Sequence, residues 1–224
     1  MKNITIIGHK NEKDLNLTQR AAKKACRRIS QFLKLEIPKS TIKLTYSRKE
    51  LDKKMGHKTE PWIIALADLE KNEITIFAPS IYSKEGIYPI DRFPSTVCHE
   101  MTHIAIYAFV KGRSVPVWLN EGLPYVVANQ TDPEQTFFIP EQGICKALDS
   151  PKNWRQNIRG VGQNLVGRFV KFLIDSYSLT KLMKLLKDLE PNYQYVHFAE
   201  IFKKIYDKTI TEVEKEFLDE INNP

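Results

Sequence analysis

The sequence is poor in cysteine, which limits the kinds of site it can build. Only Cys26, Cys98 and Cys145 occur in 224 residues, and no two of them form a CxxC pair. This spacing gives no sign of a cysteine-based zinc site or of a disulfide framework. We therefore expect reduced thiols, which are typical of a cytoplasmic protein.

Long apolar runs are also lacking. The first residues, MKNITIIGHKNEKD, have no apolar core of signal-peptide length before charged residues return. Further along, polar residues interrupt the apolar segments before they reach the length of a transmembrane helix. The sequence therefore predicts no membrane segment, and this agrees with a cytoplasmic location.

Acidic residues are outnumbered, so that the chain has a formal net charge of +7 and a pI of about 9.2. A basic excess is one signature of proteins that bind nucleic acid or an anionic surface. Here the lysines are spread along the chain, and no run of five or more occurs. We interpret them as the solvated faces of helices and expect no nucleic-acid partner, although a basic nucleic-acid-binding domain stays open as an alternative.

Hydrophobic periodicity divides the chain into a strand-containing first part and a helical second part. The predicted strands are 3–7, 41–47 and a β-hairpin of 62–69 with 73–80, and irregular segments are predicted at 48–60 and 81–94. The predicted helices are 14–36, 95–111, 117–129, 161–177, 179–189, 196–207 and 210–222. This order indicates an α+β fold with a small mixed N-terminal sheet and a mainly helical C-terminal half. We expect one domain, 1–224, with a sheet-containing lobe at 1–90 and a helical lobe at 91–224.

Histidine is scarce too, with five in the chain, yet two of them fall in one motif, STVCHEMTHIA at 95–105. The pattern H-E-x-x-H should arise by chance in roughly one such sequence in a hundred. Residues four apart on an α-helix lie about 40° from each other on the same face, so His99 and His103 can bind one ion. Glu100 lies about 100° from His99 and can reach a water on that ion, as metal-assisted hydrolysis requires.

A catalytic zinc needs a third protein ligand, and the sequence after His103 excludes a third histidine at HExxHxxGxxH spacing. The next carboxylate after the motif helix is Glu121, in VPVWLNEGLPY. Seventeen residues separate the two, enough for two helical turns, a loop and the return into a neighbouring helix. A glutamate on an antiparallel second helix can complete the ligand set.

HEMTH followed by WLNEGLPYVV resembles the gluzincin metallopeptidases, the clan that contains thermolysin and the HExxH aminopeptidases. The similarity is closest to compact bacterial domains described as peptidase-MA-like. It extends over about residues 60–222 and is strong at 95–128. The resemblance implies a zincin-like fold and one zinc ion (Zn2+) held by His99, His103 and Glu121, with Glu100 as general base and later general acid. It also implies a peptide or protein substrate, which can add as an extra strand along 73–80.

The sequence departs from this clan at three places. The G-x-M-E-N segment with which the clan's aminopeptidases bind the substrate's free amine is missing, so the resemblance implies an endopeptidase. Tyr125 stands where thermolysin has the Asp that orients a zinc histidine, and Asn120 or a backbone carbonyl is expected to replace it. No motif identifies the oxyanion-stabilising side chain, for which the candidates are Tyr82, Tyr88, Tyr193, Tyr195 and His197.

Alternative interpretations stay open for several residues. The whole protein could be a catalytically inactive or regulatory zinc-containing protein that binds peptides. Cys98 could be a fourth ligand or a redox switch, but it lies about 100° from His99 on the helix, which favours core packing. The pair Phe137-Phe138 is interpreted as core cover rather than as part of a substrate pocket.

Overall fold

The computed structural model describes residues 3–132, 140–155 and 162–222. The predicted α+β class is confirmed, with a small four-stranded mixed sheet followed by helices. The strands are β1 (Ile4–Ile7), β2 (Ser40–Thr45), β3 (Ala65–Asp68) and β4 (Glu73–Phe77). The first helices are α1 (Glu12–Leu33), α2 (Arg48–Met55), α3 (Tyr82–Glu85) and α4 (Phe93–Phe109), with a 3-10 turn at Ile90–Arg92. The later helices are α5 (Val117–Val127), α6 (Ile144–Ala147), α7 (Gln163–Tyr177), α8 (Leu179–Asp188), α9 (Tyr195–Tyr206) and α10 (Ile210–Asn222).

The sheet has the strand order β1-β2-β4-β3, in which the first three strands are parallel and β3 is antiparallel to β4. The predicted hairpin is confirmed, with Asp68 opposite Glu73 next to its turn. The prediction that 73–80 forms an edge strand is wrong, because β4 pairs with β2 on one side and β3 on the other. The edges are β1 and β3, since the non-local pairing of β2 with β4 places the second hairpin strand inside the sheet.

The segment 48–60 was expected to be a loop, and here the expectation is wrong. Its first part is the helix α2, which begins after Ser47, whose side chain accepts a hydrogen bond from the Glu50 N–H. Gly56 ends the helix in the left-handed conformation. The segment 81–94 likewise contains α3 and the 3-10 turn rather than only irregular structure.

Asp14, in the first turn of α1, ties this helix to the ends of two strands. Its carboxylate accepts hydrogen bonds from the Ser80 N–H (2.9 Å) and O–H (2.8 Å), from the Asn11 amide (2.8 Å) and from the Tyr46 hydroxyl (3.0 Å). Burial by itself would raise the pKa of Asp14, but the bonds from Ser80, Asn11 and Tyr46 outweigh it and hold the pKa below its ordinary value. Since Tyr46 follows β2 and Ser80 follows β4, a single charge fixes where α1 starts.

The motif helix α4 is buried on nearly all sides rather than along one stripe. Eleven of its 17 residues are buried, from Phe93 to Ile106. A helix that is covered all round lies at the centre of a fold. Its polar residues are therefore held inside the protein, where each needs a partner.

The chain divides into two compact units, residues 1–108 and 109–224. The first contains the sheet with α1 to α3 and nearly all of α4. The second is helical, and within it α5 packs most extensively along α7. The single domain with lobes at 1–90 and 91–224 stays a prediction. In the described part of the chain, no helix has the length and apolar content needed to cross a bilayer.

The Asp14 network predicts a stability loss with a defined pH dependence. Asp14→Ala leaves several buried donors without an acceptor and should lower the free energy of unfolding by about 2–4 kcal/mol at neutral pH, measured by urea unfolding. The pKa of Asp14 is lower in the folded protein than in the unfolded chain. Its contribution to stability is therefore complete above the unfolded pKa of about 3.9 and is lost as the pH falls through the folded pKa. Acidification below about pH 4 should therefore destabilise the variant less than the wild type.

The matched control is Asp175→Ala, which removes the same charge from an exposed helix position paired with Lys171. It should change stability by less than about 0.5 kcal/mol. Equal losses at both positions would show that the buried network of Asp14 contributes nothing specific.

Candidate metal centre

His99 and His103 lie one helical turn apart on α4 and approach each other through the same ring atom. Their Nε2 atoms are 3.0 Å apart, and the ring centroids are 4.8 Å apart. The two residues are 8 % and 7 % exposed. Two ligands at about 2.0–2.1 Å from a tetrahedral zinc are separated by about 3.3 Å, so the pair is close to the spacing that one ion requires.

The local sequence explains why this helix forms. Pro94 lies in its first turn, where the missing N–H costs nothing. Thr102 satisfies its buried hydroxyl by donating to the Cys98 carbonyl at 2.7 Å. The helix ends at Phe109 and is followed by Lys111 and Gly112, both with positive φ. It therefore starts two residues earlier and ends two residues earlier than the predicted 95–111.

Glu121 lies on α5, whose position within its unit depends on two glycines. A Cβ on Gly122 would come within 2.5 Å of the Val166 carbonyl oxygen on α7. A Cβ on Gly167 of α7 would come within 2.9 Å of the Tyr125 Cβ. The two helices therefore approach closely, and the Gly after Glu121 in WLNEG has a packing role.

The first residues of α5 are held by carbonyls from a segment about thirty residues further along the chain. The N–H groups of Val117 and Trp118 donate to the carbonyls of Asp149 and Leu148 at 3.0 and 2.9 Å. Trp118 is fully buried.

The second half of α5 contains Pro124, which lies inside the helix and not in its first turn. Tyr125 hydrogen-bonds through its hydroxyl to Gln163 of α7, so the residue at the position of the clan's orienting Asp is bound to that helix.

The three predicted ligands come together. One nitrogen each from His99 and His103 and a carboxylate oxygen of Glu121 all lie within 4.8 Å of one another. Atoms at that spacing can surround one ion at about 2.0–2.2 Å after side-chain shifts of under about 1 Å. Two imidazoles with one carboxylate are also a donor set that divalent transition metals accept. The residues present therefore fit a metal ion.

Glu100 and the predicted oxyanion donors of the first unit have different environments. Glu100 is half-buried on α4, next to His99. Tyr82 is fully buried and its hydroxyl lies 2.6 Å from the Thr96 hydroxyl, so it is held in the core. Burial raises the pKa of Tyr82 to about 12. Tyr88 is half-buried with Arg92 near its ring, and burial raises its pKa as well.

The other candidate donors belong to the second unit. The Tyr193 hydroxyl is buried and has no hydrogen-bond partner among the described residues. Tyr195 is half-buried at the start of α9. His197 is exposed, and its Nδ1 lies 2.9 Å from a carboxylate oxygen of Glu190. None of these observations identifies one of them as the oxyanion donor.

Cys98 is buried, and burial raises the pKa of its thiol to about 11, in keeping with core packing. The pair Phe137-Phe138 lies outside the described residues. No family model matches the sequence, and no curated protein matches it either. The resemblance stated from the motif residues therefore stays an interpretation.

The close approach of α5 and α7 predicts that Gly122→Ala is destabilising, although Ala is the better helix former by about 1 kcal/mol. The new Cβ would overlap a backbone carbonyl that cannot rotate away, so we expect a net loss of about 1–3 kcal/mol in urea unfolding.

The comparison variant is Gly167→Ala, whose Cβ would make a shallower overlap, 2.9 Å against 2.5 Å. Gly167→Ala should therefore lower the free energy of unfolding by less than Gly122→Ala does. A Gly122→Ala variant as stable as the wild type would show that the two helices can move apart at little cost.

Proposed function

We propose that the protein is a zinc-dependent peptidase of gluzincin type with a zincin-like fold. The observation that carries the proposal is the clustering of His99, His103 and Glu121 within 4.8 Å, with Glu100 directly after the first ligand in the chain. Three ligands, which leave a fourth position of a tetrahedral ion for water, and a nearby base are what hydrolysis assisted by zinc uses.

We take zinc as the metal of this proposal, because two imidazoles with a carboxylate fit a transition-metal ion and the HExxH resemblance implies zinc. Neutral imidazole nitrogens suit zinc, copper, iron and nickel, whereas a site for calcium or magnesium consists of oxygen ligands. Three protein ligands, rather than four, are typical of a catalytic zinc site. When bound, such an ion supplies a Lewis acid that polarises a carbonyl and acidifies water.

Glu100 provides the proton transfers in this proposal. Its carboxylate takes a proton from the attacking water and later gives it to the leaving amine. On the helix it lies about 100° from His99, off the face that the two histidines share, from where it could reach a water held by the ion. The half-buried position keeps it within reach of both protein and solvent.

An extended peptide is the substrate form that the sheet favours. The outer strand β3 (Ala65–Asp68) is half-buried along its whole length and forms one edge of the sheet. A peptide can add to such an edge through main-chain hydrogen bonds, with little demand on its sequence. Because an added strand extends on both sides of the scissile bond, an endopeptidase is favoured over an aminopeptidase.

The second candidate is a catalytically inactive metal protein that binds peptides. It is favoured by the core position of Tyr82, which removes one predicted oxyanion donor. An enzyme needs a donor for the oxyanion, whereas a binding protein does not. The two experiments below separate these functions.

The metal proposal predicts about one equivalent of zinc in the purified protein by elemental mass spectrometry, which also identifies any other metal. His99→Ala should lose the metal, because two ligands rarely hold a catalytic ion. The control is His57→Ala, an exposed histidine bonded only to the Lys58 carbonyl among the described residues, which should keep it. A wild-type protein without metal, or equal loss in both variants, would contradict the site.

The catalytic proposal predicts that Glu100→Gln keeps the zinc but lowers the cleavage rate of an unfolded protein by about 10²–10⁴-fold, since general acid–base catalysis contributes that much. The control is Glu200→Gln, the same change at an exposed position of α9. Both variants are assayed by mass spectrometry of the products. Full activity in Glu100→Gln rejects the catalytic role, and a zinc-loaded wild type that cleaves nothing supports the peptide-binding function instead.

A further inference from the structure

The helix α1 and the residues next to it carry a charge of one sign over an unusually long stretch. From Leu15 to Leu35 there are six basic residues and no carboxylate. The six are Arg20, Lys23, Lys24, Arg27, Arg28 and Lys34, and we call them the α1 basic face. The whole chain has 34 basic and 27 acidic residues. A stretch of this length without any carboxylate therefore differs from the average composition of the chain.

Folding places these residues on one side of the helix. The opposite side is buried through Ala21, Ala22, Ala25, Ile29 and Leu33, and all six basic residues are exposed. At 100° per residue the helical members cover an arc of about 140°, and from the first to the last the face is about 21 Å long. The result is a continuous strip of cations along the exposed side of α1.

The α1 basic face differs from the other basic positions of the protein. Lys54, Lys71, Lys171, Lys184 and Lys208 each form an ion pair with a carboxylate within 3.6 Å, as is common on solvated faces. In the described ranges, no ion pair to a carboxylate involves Arg20, Lys23, Lys24, Arg27 or Lys34. Arg28 lies over the Phe32 ring, 5.4 Å from its centroid. Within the described residues, carboxylates therefore do not pair with the other five members of the α1 basic face, which keep their positive potential.

Three kinds of anionic partner can be compared with this surface. A stable protein partner would need aromatic and apolar anchors, because the centres of protein interfaces are depleted in charge. Cations alone attract an anionic membrane, but stable binding by a helix also uses its apolar side, and that side of α1 is already buried in the fold. Interfaces with nucleic acid are much more positive than either, and a row of Lys and Arg along a helix in a protein of pI above about 9 is their signature.

We propose that the α1 basic face binds the phosphate backbone of double-stranded nucleic acid without reading its sequence. The one aromatic side chain between Asn16 and Lys34 is Phe32, which is half-buried and has the Arg28 guanidinium over its ring, so no row of open rings is offered to unpaired bases and a single strand is not favoured. One side of α1 is buried, with seven of its 22 residues, and the exposed side presents long cationic side chains, to which we assign contacts with phosphates. This surface is independent of the proposed peptidase activity.

The test is fluorescence anisotropy of the full-length protein with a labelled duplex of about 20 bp at several salt concentrations. Six phosphate contacts should give a slope of log K against log salt of about −5. The triple variant Lys23→Gln, Lys24→Gln and Arg27→Gln keeps helix propensity but should flatten the slope by about 3 and weaken binding at low salt by at least about tenfold. Circular dichroism checks that the variant is folded.

The control is Lys187→Gln, Lys203→Gln and Lys204→Gln, which removes the same charge from exposed positions on other helices. It should leave the slope near that of the wild type. The proposal is overturned if the wild type does not bind the duplex at about 50 mM salt, or if both triple variants lose binding equally. A preference for an unpaired strand, or for vesicles containing about one third phosphatidylserine, would replace it with a different partner.

Discussion

The geometry of the proposed site depends on two imidazoles held 3.0 Å apart inside a buried helix. Four-residue spacing brings His99 and His103 to the same side of α4, and burial of the helix on nearly all sides prevents them from separating into solvent. Two neutral nitrogens at this distance can share one proton or bind one cation. A cation fits the arrangement better than a shared proton does, because a half-buried carboxylate, that of Glu121, lies within 4.8 Å of both imidazoles. One divalent ion could bind all three groups at once.

The proposed third ligand, Glu121, depends on the packing of the glycine that follows it. Glu121 occupies α5, and Gly122 allows this helix to approach the Val166 carbonyl of α7 so closely that a Cβ would be only 2.5 Å away. Gly167 permits the same approach from the other helix. A shift of one ångström in α5 would be about five times the ±0.2 Å within which metal–ligand distances are held, so the packing at Gly122 would limit where the Glu121 carboxylate can lie. The WLNEG sequence thus combines a proposed ligand with the residue that positions it.

Local patterns in the sequence predicted most of the elements, and non-local pairings account for what was missed. The long helices and the hairpin follow from hydrophobic periodicity, and the spacing of His99, Glu100 and His103 predicted which side chains share a face. The internal position of β4 was missed because its parallel pairing with β2 joins segments about thirty residues apart, which no local pattern encodes. The helix α2 was missed because it buries only Leu51 and depends on its Ser47 and Gly56 caps. The role of Asp14 could not be predicted from a local pattern either, because its partners Tyr46 and Ser80 are distant in sequence.

The sequence also offered little indication that the basic residues of α1 form one surface. They look scattered along the chain and come together only when the helix forms. Arg20, Lys24 and Arg27 are separated by three or four residues, the spacing that places side chains on one face. The electrostatics of this surface and of the metal site differ in kind. Exposed charges are screened over about 8 Å at physiological salt, whereas buried groups such as His99 and His103 are screened much less. Salt concentration therefore acts on the α1 basic face and leaves the metal site nearly unchanged, so the two proposed functions can be separated in one intact protein.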